Sequence, residues 1–169
     1  MIKARHFSLI ALLIVLLQSV LDNYLDFHHS IYILLTPIVA AMMPTHLRGI
    51  PMLLSAFFLG LVTDLLGNGI LGLNASALTA MVLIRYPLIQ RFTHENAMEK
   101  YPFPCIQSMG KGYFTIYLLL LYLVFMSLYI LWESAGMVPV PWMIGRILVG
   151  TLINTGLGFL FFWLIIREQ

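Results

Sequence analysis

Six apolar segments divide this chain: Phe7–Leu25, Ile31–Leu47, Ile50–Leu66, Ile70–Ile89, Tyr113–Trp132 and Trp142–Ile166. Each falls within the range of about 17–25 residues that a helix needs to cross a bilayer. The sequence between them is too short and too sparsely charged to coat them in water. Charged residues are only 9% of the chain, against about 25% in a soluble domain. The pattern predicts an all-α integral membrane protein, a six-transmembrane-helix bundle forming a single membrane domain over residues 1–169. The second and third segments are short. A helix of that length covers about 25 Å, so flanking residues must snorkel or the bilayer must thin.

Lysine and arginine orient the bundle. Lys3, Arg5, Arg48, Arg85, Arg91, Lys100, Lys111 and Arg167 all fall on one side of a six-span arrangement, and Arg146 alone lies near the other. By the positive-inside rule, both termini are expected in the cytoplasm, together with the loop Gln90–Gly112. The N-terminal stretch imitates a signal peptide, with basic residues before an apolar run. No small-residue cleavage pattern follows, so it reads as an uncleaved first helix.

The stretch "FFLGLVTDLLGNGILGLNASAL" places a carboxylate, Asp64, inside apolar sequence. An ionisable residue in a span is a functional candidate, because removing it from water is costly. Arg146, at a similar depth in the last span, is the expected partner. Ala56, Gly60 and Asp64 share one helix face, as do Arg146, Gly150, Asn154 and Gly158. Small residues of this kind let helices approach closely, and an amide can bond across the gap. Both faces are candidate structural or partner contacts. Gly67, Gly69 and Gly72 suit a tight hairpin, with Gly67 ending the third helix and Asn74 opening the fourth.

Catalytic and metal patterns are not evident. His28 and His29 are adjacent, and His6, His46 and His94 lie apart, so the histidines read as interface residues. Cys105 is the only cysteine, which excludes an internal disulfide. There is no nucleophile–base set, no paired carboxylate and no phosphate loop, so no catalytic residue, cofactor or metal is assigned. A net charge of +2 gives no basis for a nucleic-acid partner. Trp132 and Trp142 bracket the last loop and suit an interfacial belt, while Tyr113, Tyr117 and Tyr129 read as packing or interface residues.

From Phe57 to Phe92 the chain resembles the rod shape-determining MreD family. That family carries a G-L-x-x-D-L motif, a short glycine-containing turn, then L-G and a second apolar helix. Gly60, Leu61, Asp64, Leu65, Leu71 and Gly72 match it here. Gln18 is a counterpart of the family's glutamine near the end of span one, and Asn154, followed by an apolar helix with a charged terminus, is similar to the family's last span. Pro37 lies deeper in span two than the family's proline, and the Gln90–Gly112 loop is fairly long. The resemblance implies a non-enzymatic membrane scaffold of the bacterial cell-elongation complex. Its implied partners are MreC, MreB, the glycan polymerase and transpeptidase that build wall, and membrane lipid. It also implies a fold similar to the substrate-binding subunits of energy-coupling-factor transporters. That likeness supplies the alternative expectation, a vitamin-type small-molecule-binding subunit. A membrane-embedded enzyme ranks last.

Overall fold

In the computed structural model, residues 4–24, 32–67, 70–93, 101, 103–135 and 137–167 are described. They form α1 (Ala4–Tyr24), α2 (Thr36–Ala41), α3 (Ile50–Leu66), α4 (Leu73–Phe92), α5 (Ile106–Met109), α6 (Lys111–Ser134) and α7 (Val140–Arg167), with no strand among them. The expected all-α class is therefore observed. Lys111–Ser134 and Val140–Leu164 are long and apolar enough to cross a bilayer, and Ser8–Asn23 and Ile50–Leu66 are shorter apolar helices.

α6 is the centre. Phe114, Tyr117, Leu118, Leu121, Tyr122, Phe125, Met126, Tyr129 and Ile130 recur every three to four residues and are all buried, the spacing of one broad helical face. α4 and α7 pack on α6, and α3 packs on α4. α1 touches α2 and α3 more lightly. Leu9, Leu12, Leu13 and Leu16 of α1, and Leu148, Leu152 and Leu160 of α7, remain exposed. Apolar outward faces of this extent suit a lipid environment.

α3 and α4 form an antiparallel hairpin whose turn depends on Gly72, at φ +95°, a conformation that side-chain-bearing residues rarely adopt. The closest backbone approach lies below it. A Cβ placed on Gly60 would come 2.4 Å from the Cα of Ala75, so the two helices fit only because Gly60 has none. Gly67 does end α3, but at φ −102°, not in the left-handed region. Its lack of a side chain serves proximity, since a Cβ there would lie 2.9 Å from Oδ2 of Asp22 on α1. Gly69 lies outside the described residues.

The second expected span needs correction. In place of one helix over Ile31–Leu47, the chain is non-helical at 32–35, helical only over Thr36–Ala41, and non-helical again from Met42 to Gly49. Ile31 itself lies outside the described residues. Pro37 sits in the first turn of α2, where its missing N–H costs nothing. Pro44 follows the helix and cannot donate a bond to continue it. Residues 36–44 are buried throughout. A broken backbone is tolerated away from water only where other protein groups satisfy it, and side chains from four helices do so here. α4 also starts at Leu73 and not at Ile70, because the Gly72 turn occupies the residues before it.

A carboxylate-lined chamber at one end of the bundle

The ends of α1, α3 and α6 meet the beginnings of α4 and α7. The non-helical residues 32–35 run through this junction, held by two side-chain amides. Asn154 of α7 accepts a hydrogen bond from the Leu34 N–H (2.8 Å) and donates to the Tyr32 carbonyl (2.6 Å). Gln18 of α1 accepts from the Leu35 N–H (2.7 Å) and donates to the Ile33 carbonyl (3.3 Å). Each amide therefore satisfies one backbone N–H and one backbone carbonyl two residues apart in a stretch that has no helix of its own to do so. Gln18 also donates to Asp22 one turn on, at 2.7 Å, and Tyr122 donates to the Leu34 carbonyl at 3.4 Å.

Asp64 solves a problem created by Gly72. The residue that opens α4 is a glycine and has no side chain with which to cap the helix. Asp64 reaches across the hairpin to do this. Its Oδ2 accepts from the N–H groups of Gly72 (2.9 Å) and Ala75 (3.2 Å). Its Oδ1 accepts from the backbone N–H of Asn74 (2.9 Å) and from the Asn74 side-chain amide (3.0 Å). A carboxylate at a helix N-terminus is favoured by the exposed N–H groups and by the helix dipole.

Arg146 does not pair with Asp64, contrary to expectation. It forms an ion pair with Glu133 of α6 at 3.0 Å, donates to the Tyr32 hydroxyl, and lies 4.9 Å over the Tyr32 ring. Tyr32 in turn donates to Glu133 at 2.5 Å. Glu133, the last acidic residue before the loop between α6 and α7, is closer in the chain and reaches Arg146 first.

Asp22, Asp64, Glu133, Asn74, Tyr129, Ile70 and Leu73 together line a cavity of about 40 Å³. Among the described residues, no group of three or more His, Cys, Asp or Glu side chains is placed to hold a metal ion.

The structure thus draws Asp64, Gly67, Gly72, Asn74, Arg146 and Asn154 to one end of the bundle. Gly60 and Gly150 lie deeper and are buried by internal packing. Gly60 meets Ala75, and a Cβ on Gly150 would lie 2.9 Å from the end of the Met126 side chain. Of the two expected roles for these faces, structural or partner contact, the structure shows the structural one. Ala56 is likewise buried, and Gly158 faces Tyr122. Trp132 and Trp142 are exposed, Tyr117 and Tyr129 are buried, and Tyr113 stacks on Phe92. His46 is exposed, while His28, His29 and His94 lie outside the described residues.

Arg85 escaped the sequence reading, which placed it among the interfacial cations. It is 1% exposed. Its Nε donates to the Ala41 carbonyl at 3.3 Å and its Nη2 to the Met43 carbonyl, and Tyr117 also donates to Ala41, at 3.1 Å. Arg85 therefore sits at the negative end of α2 and satisfies carbonyls that the broken helix leaves free. Its position within the fourth apolar segment was the available signal. Glu133 and Asp22 were missed because each lies near a loop, where a charge needs no explanation. No family model, curated protein or solved structure matches the chain.

Proposed function

We propose that this chain is a six-span, non-enzymatic scaffold subunit of the bacterial cell-elongation machinery, of MreD type, that holds an MreC-like partner in the inner membrane. The observation that carries this reading is the work done by the motif residues behind the resemblance. Gly60 permits the close α3–α4 contact, Asp64 caps α4, and Gly72 makes the turn. Each builds a rigid hairpin. The polar residues in the first and last spans, Gln18 and Asn154, likewise hold backbone. The six-span arrangement is supported by the alternation of helix directions across the chamber and by the lysine and arginine distribution, with both termini cytoplasmic.

Because the Gly60 and Gly150 faces are filled, a partner helix has to use faces that the bundle leaves exposed, such as Leu9, Leu13 and Leu16 on α1 or Leu148 and Leu152 on α7. The alternative role, capture of a vitamin-sized molecule, asks for a pocket of about 300–1,000 Å³. The chamber, at about 40 Å³, is far smaller, and the cavity of about 340 Å³ that reaches this size, beside Arg91, Phe92, Thr93 and Tyr113, lies at the opposite ends of α4 and α6, on the side expected to be cytoplasmic. The test is copurification with the MreC of the same cell. Leu13→Trp or Leu152→Trp should weaken it and round the cells while the protein stays inserted and abundant. If wild-type protein retains no MreC, or its loss leaves rods unchanged, the scaffold reading fails. Tight binding of a vitamin by the purified protein would replace it with the capture reading.

A further inference from the structure

The end of the bundle opposite the chamber is basic. Among the described residues the carboxylates are Asp22, Asp64 and Glu133, and all three line the chamber. Arg48, Arg91 and Lys111 are exposed at the other end, where α3 and α6 begin and α4 finishes. A cavity of about 340 Å³ lies there, lined by Arg91, Phe92 and Thr93 at the end of α4 and by Tyr113 in the first turn of α6. Phe92 and Tyr113 stack on each other, with ring centroids 5.7 Å apart and planes 23° from parallel. Arg91 brings a permanent positive charge. No carboxylate among the described residues pairs with it, since the ion pair observed there is Arg146 with Glu133.

The size and the lining together narrow the occupant. The volume reaches the lower end of the range of about 300–1,000 Å³ typical of ligand sites. A guanidinium suits phosphate oxygens, which it can bind two at a time. Tyrosine beside arginine is also what the headgroup level of a membrane favours, where a ring stays in the apolar layer and a polar tip meets water. The surface leading away from the cavity separates a lipid phosphate from a free one. Tyr113, Ile116 and Leu120 follow at i, i+3 and i+7 on one face of α6. Tyr113 and Ile116 are exposed and Leu120 is half-buried. This apolar strip runs from the cavity along the span, so a molecule with both a phosphate and an acyl chain matches both features.

We propose that this cavity holds the phosphate headgroup of an anionic phospholipid of the cytoplasmic leaflet. Arg91 is its counter-ion, Phe92 and Tyr113 are its apolar walls, and the Ile116–Leu120 face of α6 carries an acyl chain. Basic pockets between spanning helices on the cytoplasmic side suit anionic headgroups. A phosphatidylglycerol headgroup leaves its whole negative charge to Arg91. A phosphatidylcholine headgroup brings its own ammonium, which offsets the phosphate and meets Arg91 as a like charge. Because the walls come from α4 and α6, an occupied cavity ties these two helices together at that end, and stability then follows the anionic lipid supplied. The leaflet rests on the topology of the proposed function. The cavity, Arg91 and the α6 face do not, and no partner protein is needed.

The experiment uses the purified full chain, delipidated in a neutral detergent. Melting temperature and the lipid retained in native mass spectra are followed against dioleoylphosphatidylglycerol, dioleoylphosphatidylcholine and, at matched ionic strength, soluble glycerol phosphate. Phosphatidylglycerol should raise the melting temperature saturably and stay bound as a discrete adduct, well beyond the other two. Arg91→Gln, at an exposed residue in the last turn of α4, should melt like wild type in phosphatidylcholine. It should weaken phosphatidylglycerol binding about fivefold, the effect of one basic residue at an anionic surface. Arg48→Gln removes the same charge at the same end, from a side chain 4.9 Å over the Tyr86 ring and outside the cavity lining, and should weaken binding less. Equal retention of the two lipids would mean an adventitious lipid shell only and would overturn the proposal. So would an Arg91→Gln protein that binds like wild type, or equal losses in the two variants, which would mean diffuse attraction to the surface. A response to glycerol phosphate equal to that of phosphatidylglycerol would overturn the lipid assignment in favour of a free phosphate. Detergent has no sides, so a failure of the topology leaves these outcomes unchanged and is read separately by cysteine labelling.

Discussion

Asp64 and Arg85 are buried almost completely, at 3% and 1% exposure, yet neither has an oppositely charged side chain as its hydrogen-bonded partner. Each is matched to a helix end. Asp64 accepts four N–H bonds at the start of α4, and Arg85 donates to carbonyls at the end of α2. Charge-assisted bonds contribute about 1.5–3 kcal/mol each, and each donor left orphaned costs about 1–3 kcal/mol. Asp64→Ala should therefore lower the free energy of unfolding by about 3 kcal/mol or more, read by reversible denaturation in micelles. Asp64→Asn, which keeps one acceptor oxygen, should lose less. Arg146 belongs to a different pair. A double-mutant cycle between Glu133 and Arg146 should show coupling of about 0.5–1 kcal/mol, and the Asp64–Arg146 cycle should show less. Stronger coupling in the second cycle would contradict the observed partners.

The α3–α4 hairpin was largely legible because its determinants are near one another in the chain. Asp64 lies only 8 to 11 residues from the groups it caps, and the glycines between them announced a turn. The cause of the carboxylate was not legible, since nothing in one sequence tells that Gly72 leaves α4 without a cap of its own. The glycine faces were legible as packing contacts, but the residues they meet, Ala75 and Met126, were not. At this scale, Gly60 and Gly150 separate cleanly. Gly60→Ala drives a Cβ into the Ala75 backbone, which cannot move aside, and should cost about 1–3 kcal/mol as an overpacked contact. Gly150→Ala meets only the flexible end of Met126 and should cost well under that. Equal losses, measured by the same denaturation assay, would show that the α3–α4 contact is looser than described.

For the molecule as a whole, apolar segments revealed that the chain is helical, but they concealed the broken segment at 32–49. Its partners lie far along the chain: Arg85 is 42 residues from Met43, and Asn154 is 120 residues from Leu34. No periodicity connects such residues. The chamber was hidden for the same reason, as Asp22, Asp64, Asn74 and Glu133 come from four separate helices. The six-span topology predicts that Arg48 and Met137 lie on opposite sides of the membrane. With Cys105 replaced by alanine, single cysteines at these exposed positions should react with an impermeant reagent from the cytoplasmic and outer faces, respectively. Reaction of both from one face would refute the arrangement.

Distance along the chain is also time. Leu34 is synthesised 120 residues before Asn154, a delay of about 6–24 s at about 5–20 residues per second. Throughout that interval the clamp on residues 32–35 is incomplete, and the Leu34 N–H and Tyr32 carbonyl need other partners. In an apolar setting a helix is the form that satisfies a backbone from within. The apolar run at 31–47 is long enough to adopt one, and part of it would then have to unwind when α7 arrives. Nascent chains halted before Asn154 should accordingly show this run as a protected helix, and only completed chains should show the clamped, broken form. On that outcome, the helix legible in the sequence would be the shape in which the segment is inserted, and the broken segment the shape in which it is kept.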